Sequence, residues 1–223
     1  MINLILKDIR TLGFLNIILL CFPLGLGFIG TRVGNTALAT IIYSLATFLT
    51  SYILSIRISI NDTNSNADPL LVSLPIKRFD IVKARYLSIF LYSLMISALI
   101  FLSSKISNAV GGVLISSGNG TTFSLVSIAF TLSIVFTLSS INIPLQYSNP
   151  RKTQVFNALL YAFIFLFPNI YDRLGLNFLN PELLDKILSL NLELIAGISL
   201  LGSLLAYTLS SFVSKAIFER KEF

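Results

Sequence analysis

The feature that most constrains this chain is a series of long apolar runs almost free of charge. Six stand out, Leu12–Ile29, Ala37–Ile56, Tyr86–Leu102, Phe123–Leu145, Val155–Ile170 and Leu192–Phe212, and Glu193 is the one charged residue inside them. A helix needs roughly 17–25 apolar residues to cross the hydrocarbon of a bilayer. Only 12% of the residues are charged, against about a quarter in a soluble domain. The expected fold is an all-α integral membrane protein, a single transmembrane domain over residues 1–223 with about six spans. The fifth run is short and ends at Pro168, so five spans are the alternative.

A net charge of +6 invites a nucleic-acid reading, but no DNA- or RNA-binding motif accompanies it. Membrane proteins collect Lys and Arg in their cytoplasmic loops. With both termini in the cytoplasm, the inner side holds Lys7, Arg10, Arg57, Lys77, Arg78, Lys83, Arg85, Arg151, Lys152, Lys215, Arg220 and Lys221. The outer side holds Arg32, Lys105, Arg173 and Lys186, which makes twelve against four. That asymmetry orients the chain.

Met1–Arg10 places Ile2, Leu4, Ile5 and Ile9 near one side and Lys7, Asp8 and Arg10 near the other, as an amphipathic surface helix would. A cleaved signal is the alternative, but the following run is longer than a typical signal core and no A-x-A site follows. Two outer segments are expected outside the spans. Ser103–Thr122 is rich in Ser, Gly and Asn, with a turn at Gly118-Asn119-Gly120 and an apolar patch at Ala109–Ile115. Asn180-Pro181-Glu182 carries a helix-start pattern, so Pro181–Leu190 reads as a short helix on the outer surface. Cys21 is the one cysteine and reads as a buried packing residue. With no histidine, histidine-based metal sites and histidine-dependent triads are excluded.

Arg57–Arg85 is the long polar interval of the chain, with five basic residues around a short apolar knob. Asn61–Ala67 is turn-forming. Asp68 can cap a helix that begins at Pro69, and Leu70, Leu71 and Leu74 then share a side until Pro75 closes the turn. Leucines displayed in this way suit a docking surface, and the alternative is that they rest on the bilayer interface. Phe79, Val82 and Tyr86 continue at helical spacing into the third span, with Lys77, Arg78, Lys83 and Arg85 expected among lipid head groups.

The order Asp68-x-Leu70-Leu71-x-Ser73-Leu74-Pro75-x-x-Arg78, followed by Asp80-Ile81-Val82, resembles the first cytoplasmic loop of type-two ABC exporter permeases. The amphipathic start, Ile143-Pro144-Leu145-Gln146-Tyr147 before a basic turn, and the basic tail Ser214–Lys221 agree with it. Nearly the whole chain is covered, and the likeness is greatest to small stand-alone permeases of bacterial peptide, bacteriocin and phenol-soluble-modulin exporters. One departure is Tyr147-Ser148-Asn149-Pro150-Arg151, where such permeases often carry a glycine. The resemblance implies that Asp68, Leu70, Leu71, Ser73, Leu74, Pro75 and Arg78 form a coupling helix seated on a separate ABC ATPase subunit. It also implies a second permease, as homodimer or heterodimer, in a bacterial inner membrane. ATP and Mg would sit on the partner. The chain itself has no GxxxxGKS or GxxxxGKT loop, so it is expected to bind no cofactor and to be no enzyme.

Thr40, Ser44, Thr47, Ser51 and Ser55 fall on one face of the second span, and Ser199, Ser203, Ala206 and Ser210 on one face of the sixth. Close helix packing explains such stripes in lipid. The functional alternative is a mildly polar translocation surface, suited to amphipathic or hydrophobic cargo rather than ions, because the span cores are uncharged. Asp62 and Asp68 serve turns and caps rather than catalysis. Three rival readings are the substrate-capture subunit of an energy-coupling-factor importer, an intramembrane hydrolase or transferase, and a non-transporting immunity protein. The first span lacks the A-x-x-x-A pattern expected of the importer subunit, and missing histidine weakens the enzyme.

Overall fold

A computed structural model of the chain describes residues 14–32, 36–64, 78–114, 124–149, 152–162, 166 and 191–220. Among these the regular structure is helical throughout, as a backbone in lipid demands when every N–H and C=O must find a partner inside its own segment. The helices are α1 (Phe14–Arg32), α2 (Thr36–Asn64), α3 (Arg78–Leu114), α4 (Leu125–Ser148), α5 (152–162) and α6 (Leu192–Glu219). Within the described residues, three stretches are long and apolar enough to cross a membrane: Arg78–Ala109 of α3, α4 and α6. The amphipathic start, the knob from Asp68 to Pro75 and the Pro181–Leu190 segment lie outside the described residues.

The helix ends follow their local chemistry. Ser124 caps α4 by accepting the Ser127 N–H at 3.1 Å, and Asn191 caps α6 by accepting the Leu194 N–H at 3.4 Å. Glu193 in the first turn of α6 and Asp80 in that of α3 meet the positive ends of the helix dipoles. Asn149 ends α4 in an extended conformation, and its carbonyl accepts the Thr153 N–H at 3.3 Å. The turn between α4 and α5 is therefore tight.

Three boundaries differ from the sequence expectation. The second helix runs on through Asn61–Asn64, because helix propagation costs little once begun and no Gly or Pro intervenes. The third continues through Ser103–Leu114, which the composition set apart from the span as an outer segment. Its serines are helix-packing residues. Ser103 donates to Ile100 O at 2.9 Å, and Ser107 shares a 2.5 Å hydrogen bond with Thr31 of α1. Gly27 lies so close to Ser103 that an added Cβ would collide with the Ser103 side chain. The sixth helix extends beyond Phe212 to Glu219 and takes in most of the basic tail.

The most extensive packing is between α4 and α6, and α1 lies against α3 and α2. Both α2 and α6 pack on α4 rather than on each other. The core divides accordingly. One cluster joins Ile81, Val82, Tyr86 and Ile89 of α3 to Leu132, Phe136, Ile143 and Tyr147 of α4 and Tyr207 and Phe218 of α6. A second joins Ala39, Tyr43 and Ala46 of α2 to Ile96 and Ile100 of α3. A third sets Phe48 and Tyr52 of α2 on Val135 of α4. Apolar contact drives little of this in lipid, where the tails are as apolar as leucine, so close packing and interhelical hydrogen bonds decide the arrangement. Cys21 is exposed on α1, contrary to the packing role expected of it, because the face it occupies meets no other described helix.

Candidate functional site

The knob predicted to dock a partner ends three residues before Arg78, the first residue of α3. A helix leaves its last carbonyls without intrahelical donors, and Arg78 supplies them for α6. Its Nη1 donates to Glu219 O at 3.0 Å and to Phe218 O at 3.5 Å. Arginine is suited to this position by its charge and its fork of donors. The start of α3 is thereby tied to the end of α6.

Around this tie the side chains interlock. Phe79 meets Phe212 with ring centroids 6.0 Å apart, and Lys83 and Lys215 stand 4.2 and 4.9 Å from the Phe79 centroid. Tyr147 at the end of α4 meets Phe218 at 5.1 Å. The beginning of α3 and the ends of α4 and α6 thus meet at one end of the molecule. Arg78 is half-buried, and Arg85, expected among head groups, turns inward and is only 7% exposed. Lys83 does reach the surface.

Two turns deeper, Tyr86 is the hub. Its hydroxyl lies 2.7 Å from Ser210 Oγ and 2.8 Å from Ser214 Oγ. Ser210 Oγ donates to Ser140 O at 2.5 Å. Ser140 is four residues before Pro144, which has no N–H to give it, so α6 provides the donor that α4 lacks. A hydroxyl has one proton. Ser210 spends its own on Ser140 and must accept from Tyr86, and Ser214 must then donate to Tyr86. The result is a directed chain from Ser214 through Tyr86 and Ser210 to the Ser140 carbonyl. Tyr207 adds a donation to Tyr86 O at 2.8 Å, with its ring 4.8 Å from that of Tyr86.

The residues proposed for a translocation surface divide between two places. Thr40 and Ser44 on α2 are half-buried, and Ser44 donates to Ile41 O at 3.0 Å. Thr47 is fully buried and donates to Tyr43 O at 2.8 Å. Ser51 is buried, and its hydroxyl has no partner among the described residues. On α6, Ser199 shares a 3.3 Å hydrogen bond with Ser133 of α4, and Ser203 donates to Leu200 O at 2.9 Å. Within this chain α4 lies between the two stripes. Asp68, Leu70, Leu71, Ser73, Leu74 and Pro75 fall outside the described residues. No three metal-ligating side chains converge among the described residues.

Sequence reasoning read Tyr86 only as part of the approach to the third span, and passed over Tyr207 and Ser140. Pro144 was the available signal, because a proline inside an apolar helix announces a carbonyl one turn back that needs a donor from elsewhere. The sequence model of one family, described as ABC-2 family transporter protein, matches residues 3–219. No curated protein and no solved structure matches the chain.

Proposed function

The chain belongs to the ABC-2 family of transporter proteins, and from that premise we propose that it is the permease subunit of an exporter driven by a separate ATPase. Membership makes it a multi-pass membrane protein and implies an ATP-binding partner. The finer reading is that Asp68, Leu70, Leu71, Ser73, Leu74 and Pro75 form a coupling helix in a cleft of that partner, which holds ATP and Mg. The chain pairs with itself or with a similar permease in a bacterial inner membrane, with both termini cytoplasmic and six spans.

The observation that carries this reading is the tie from Arg78 to Phe218 and Glu219. A coupling segment biases a transporter only if two states of its engine contact it differently and the spans follow. Residues entering α3 at Arg78 cannot move without drawing on the end of α6 as well. The Tyr86 hub joins the same movement to α4. The span interiors support the cargo part of the proposal. Tyr86–Ser104 of α3, all of α4 and Leu194–Ser214 of α6 contain no charge, which suits amphipathic or hydrophobic molecules better than ions.

Co-purification tests the proposal. Extraction of the tagged chain in mild detergent should bring down an ATP-binding subunit, and Leu71→Asp should lose it by placing a carboxylate in the cleft. A wild-type chain that emerges without such a subunit, or a Leu71→Asp chain that keeps it, refutes the docking role.

A further inference from the structure

Beside the Tyr86 hub, a side-open groove of about 330 Å³ lies between α3 and α6. Lys83, Leu87 and Phe90 form one wall, and Leu204, Thr208 and Ser211 form the other. Lys83 to Phe90 covers two helical turns, about 10 Å. The buried rings of Tyr86 and Tyr207 close its floor. Their hydroxyls are engaged in the hub and turned away from any occupant. The wall hydroxyls are also committed, Thr208 to Leu205 O at 2.9 Å and Ser211 to Thr208 O at 2.7 Å. What remains along the groove is hydrocarbon and aromatic surface, with no directional polar group to read a peptide backbone or a sugar.

Charge enters only at the end nearest the helix termini. The Lys83 ammonium stands 4.2 Å from the Phe79 ring centroid and that of Lys215 stands 4.9 Å from the same ring. Glu219 answers Lys215 at 3.9 Å. Lys83 has no carboxylate within ion-pairing distance among the described residues. The Phe79 ring faces both ammonium groups, and Lys83 is left able to take an anionic partner. The groove thus has a cation, Lys83, at the level of the helix ends and an apolar slot continuing from it along Leu87, Phe90 and Leu204.

We propose that this groove binds an anionic phospholipid of the leaflet on the Arg78–Glu219 side, with the phosphate at Lys83 and Lys215 and an acyl chain along Leu87, Phe90 and Leu204. The bound lipid would wedge between α3 and α6 beside their shared hydrogen bonds. This goes beyond the transporter reading and does not depend on what is transported.

The chain has no tryptophan, so a single introduced one reports its own surroundings. The full-length Leu87→Trp chain, reconstituted in vesicles, is titrated with brominated phosphatidylglycerol or with brominated phosphatidylcholine of the same acyl chains. Glu219 offsets Lys215, so the net attraction is that of one basic residue near a membrane surface, which favours an anionic lipid by roughly fivefold. Half-maximal quenching is therefore expected at about fivefold lower mole fraction of the glycerol lipid. Adding Lys83→Gln and Lys215→Gln should erase that difference. Leu201→Trp, exposed on α6 and outside the groove, should show no preference. Equal quenching of Leu87→Trp by the two lipids overturns the proposal. So does a preference that survives loss of both lysines, or one that appears equally at Leu201→Trp and so reports general enrichment. A quenching signal that an added amphipathic peptide cargo displaces more readily than phosphatidylglycerol does would assign the groove to cargo and also overturn it.

Discussion

Replacing Ser210 with alanine should cost more than its size suggests, and how much more depends on Pro144. In the wild type, Ser210 Oγ donates to Ser140 O and lies 2.7 Å from the Tyr86 hydroxyl. Ser210→Ala removes both bonds. Interhelical side-chain hydrogen bonds in membranes average about 0.6 kcal/mol each, with a ceiling near ~1.7. A carbonyl left buried without a donor adds about 1 kcal/mol or more. The expected loss is therefore about 2 kcal/mol. Pro144→Ala restores an N–H one turn after Ser140, so the carbonyl regains an intrahelical donor. In that background Ser210→Ala should cost only the Tyr86 bond, about 0.6 kcal/mol. The coupling between the two sites is then about 1.4 kcal/mol, well outside the few tenths expected of independent sites. Reversible unfolding of the four chains in mixed micelles of mild detergent and dodecyl sulfate, followed by circular dichroism, measures each term. If Ser210→Ala costs the same in both backgrounds, the hydroxyl is not replacing the proline's missing donor.

Three further outcomes test other contacts. Gly27→Val should destabilise the chain by about 1–3 kcal/mol through overpacking against Ser103, and Ser103→Gly should recover most of the smaller loss from Gly27→Ala in the same unfolding assay. Tyr52→Phe should cost about 1 kcal/mol by leaving Asn157 Oδ1 without its 2.7 Å donor, and pairing it with Asn157→Leu should be milder than either change alone. Arg78→Gln should raise amide exchange over Ser214–Glu219 by about tenfold, the equivalent of one charge-assisted hydrogen bond, when hydrogen exchange is followed by mass spectrometry; unchanged exchange would mean the guanidinium does not cap α6.

The helical runs were legible because crossing hydrocarbon imposes a requirement on every residue of a run, and three of them are long and apolar enough to cross among the described residues. Five of the six expected runs coincide with helices in the described residues, and the fifth, Val155–Ile170, begins as α5 at residue 152. Ser103–Leu114 was misread because serine and asparagine are turn residues in water, whereas in lipid a serine is a small residue that satisfies its own hydroxyl on the preceding turn. The inward turn of Arg85 and the exposure of Cys21 were illegible for a different reason. Which side of a helix faces a neighbour depends on which helices are neighbours, and no local pattern states it. The same gap hid the Tyr86 hub. Ser210 was visible as a member of a stripe and Pro144 as part of Ile143–Tyr147, but nothing in either segment says that they belong to one hydrogen-bonded unit.

The 37 residues of α3 have a mechanical consequence. At 1.5 Å per residue the helix is about 55 Å long, while the hydrocarbon layer is about 30 Å thick. A tilt large enough to hide it would exceed the roughly 40° limit seen for membrane helices, so the rod must project into the aqueous region. Tied to α4 and α6 at Tyr86, it has a long arm on which α1 and α2 ride. Leu114 lies 28 residues away, about 42 Å along the axis. A swing of about 5° at that fulcrum carries the far tip about 3.7 Å, enough to open or close a contact. A small push where α3 begins would thus be read out, enlarged, at its far end and in α1, which packs there.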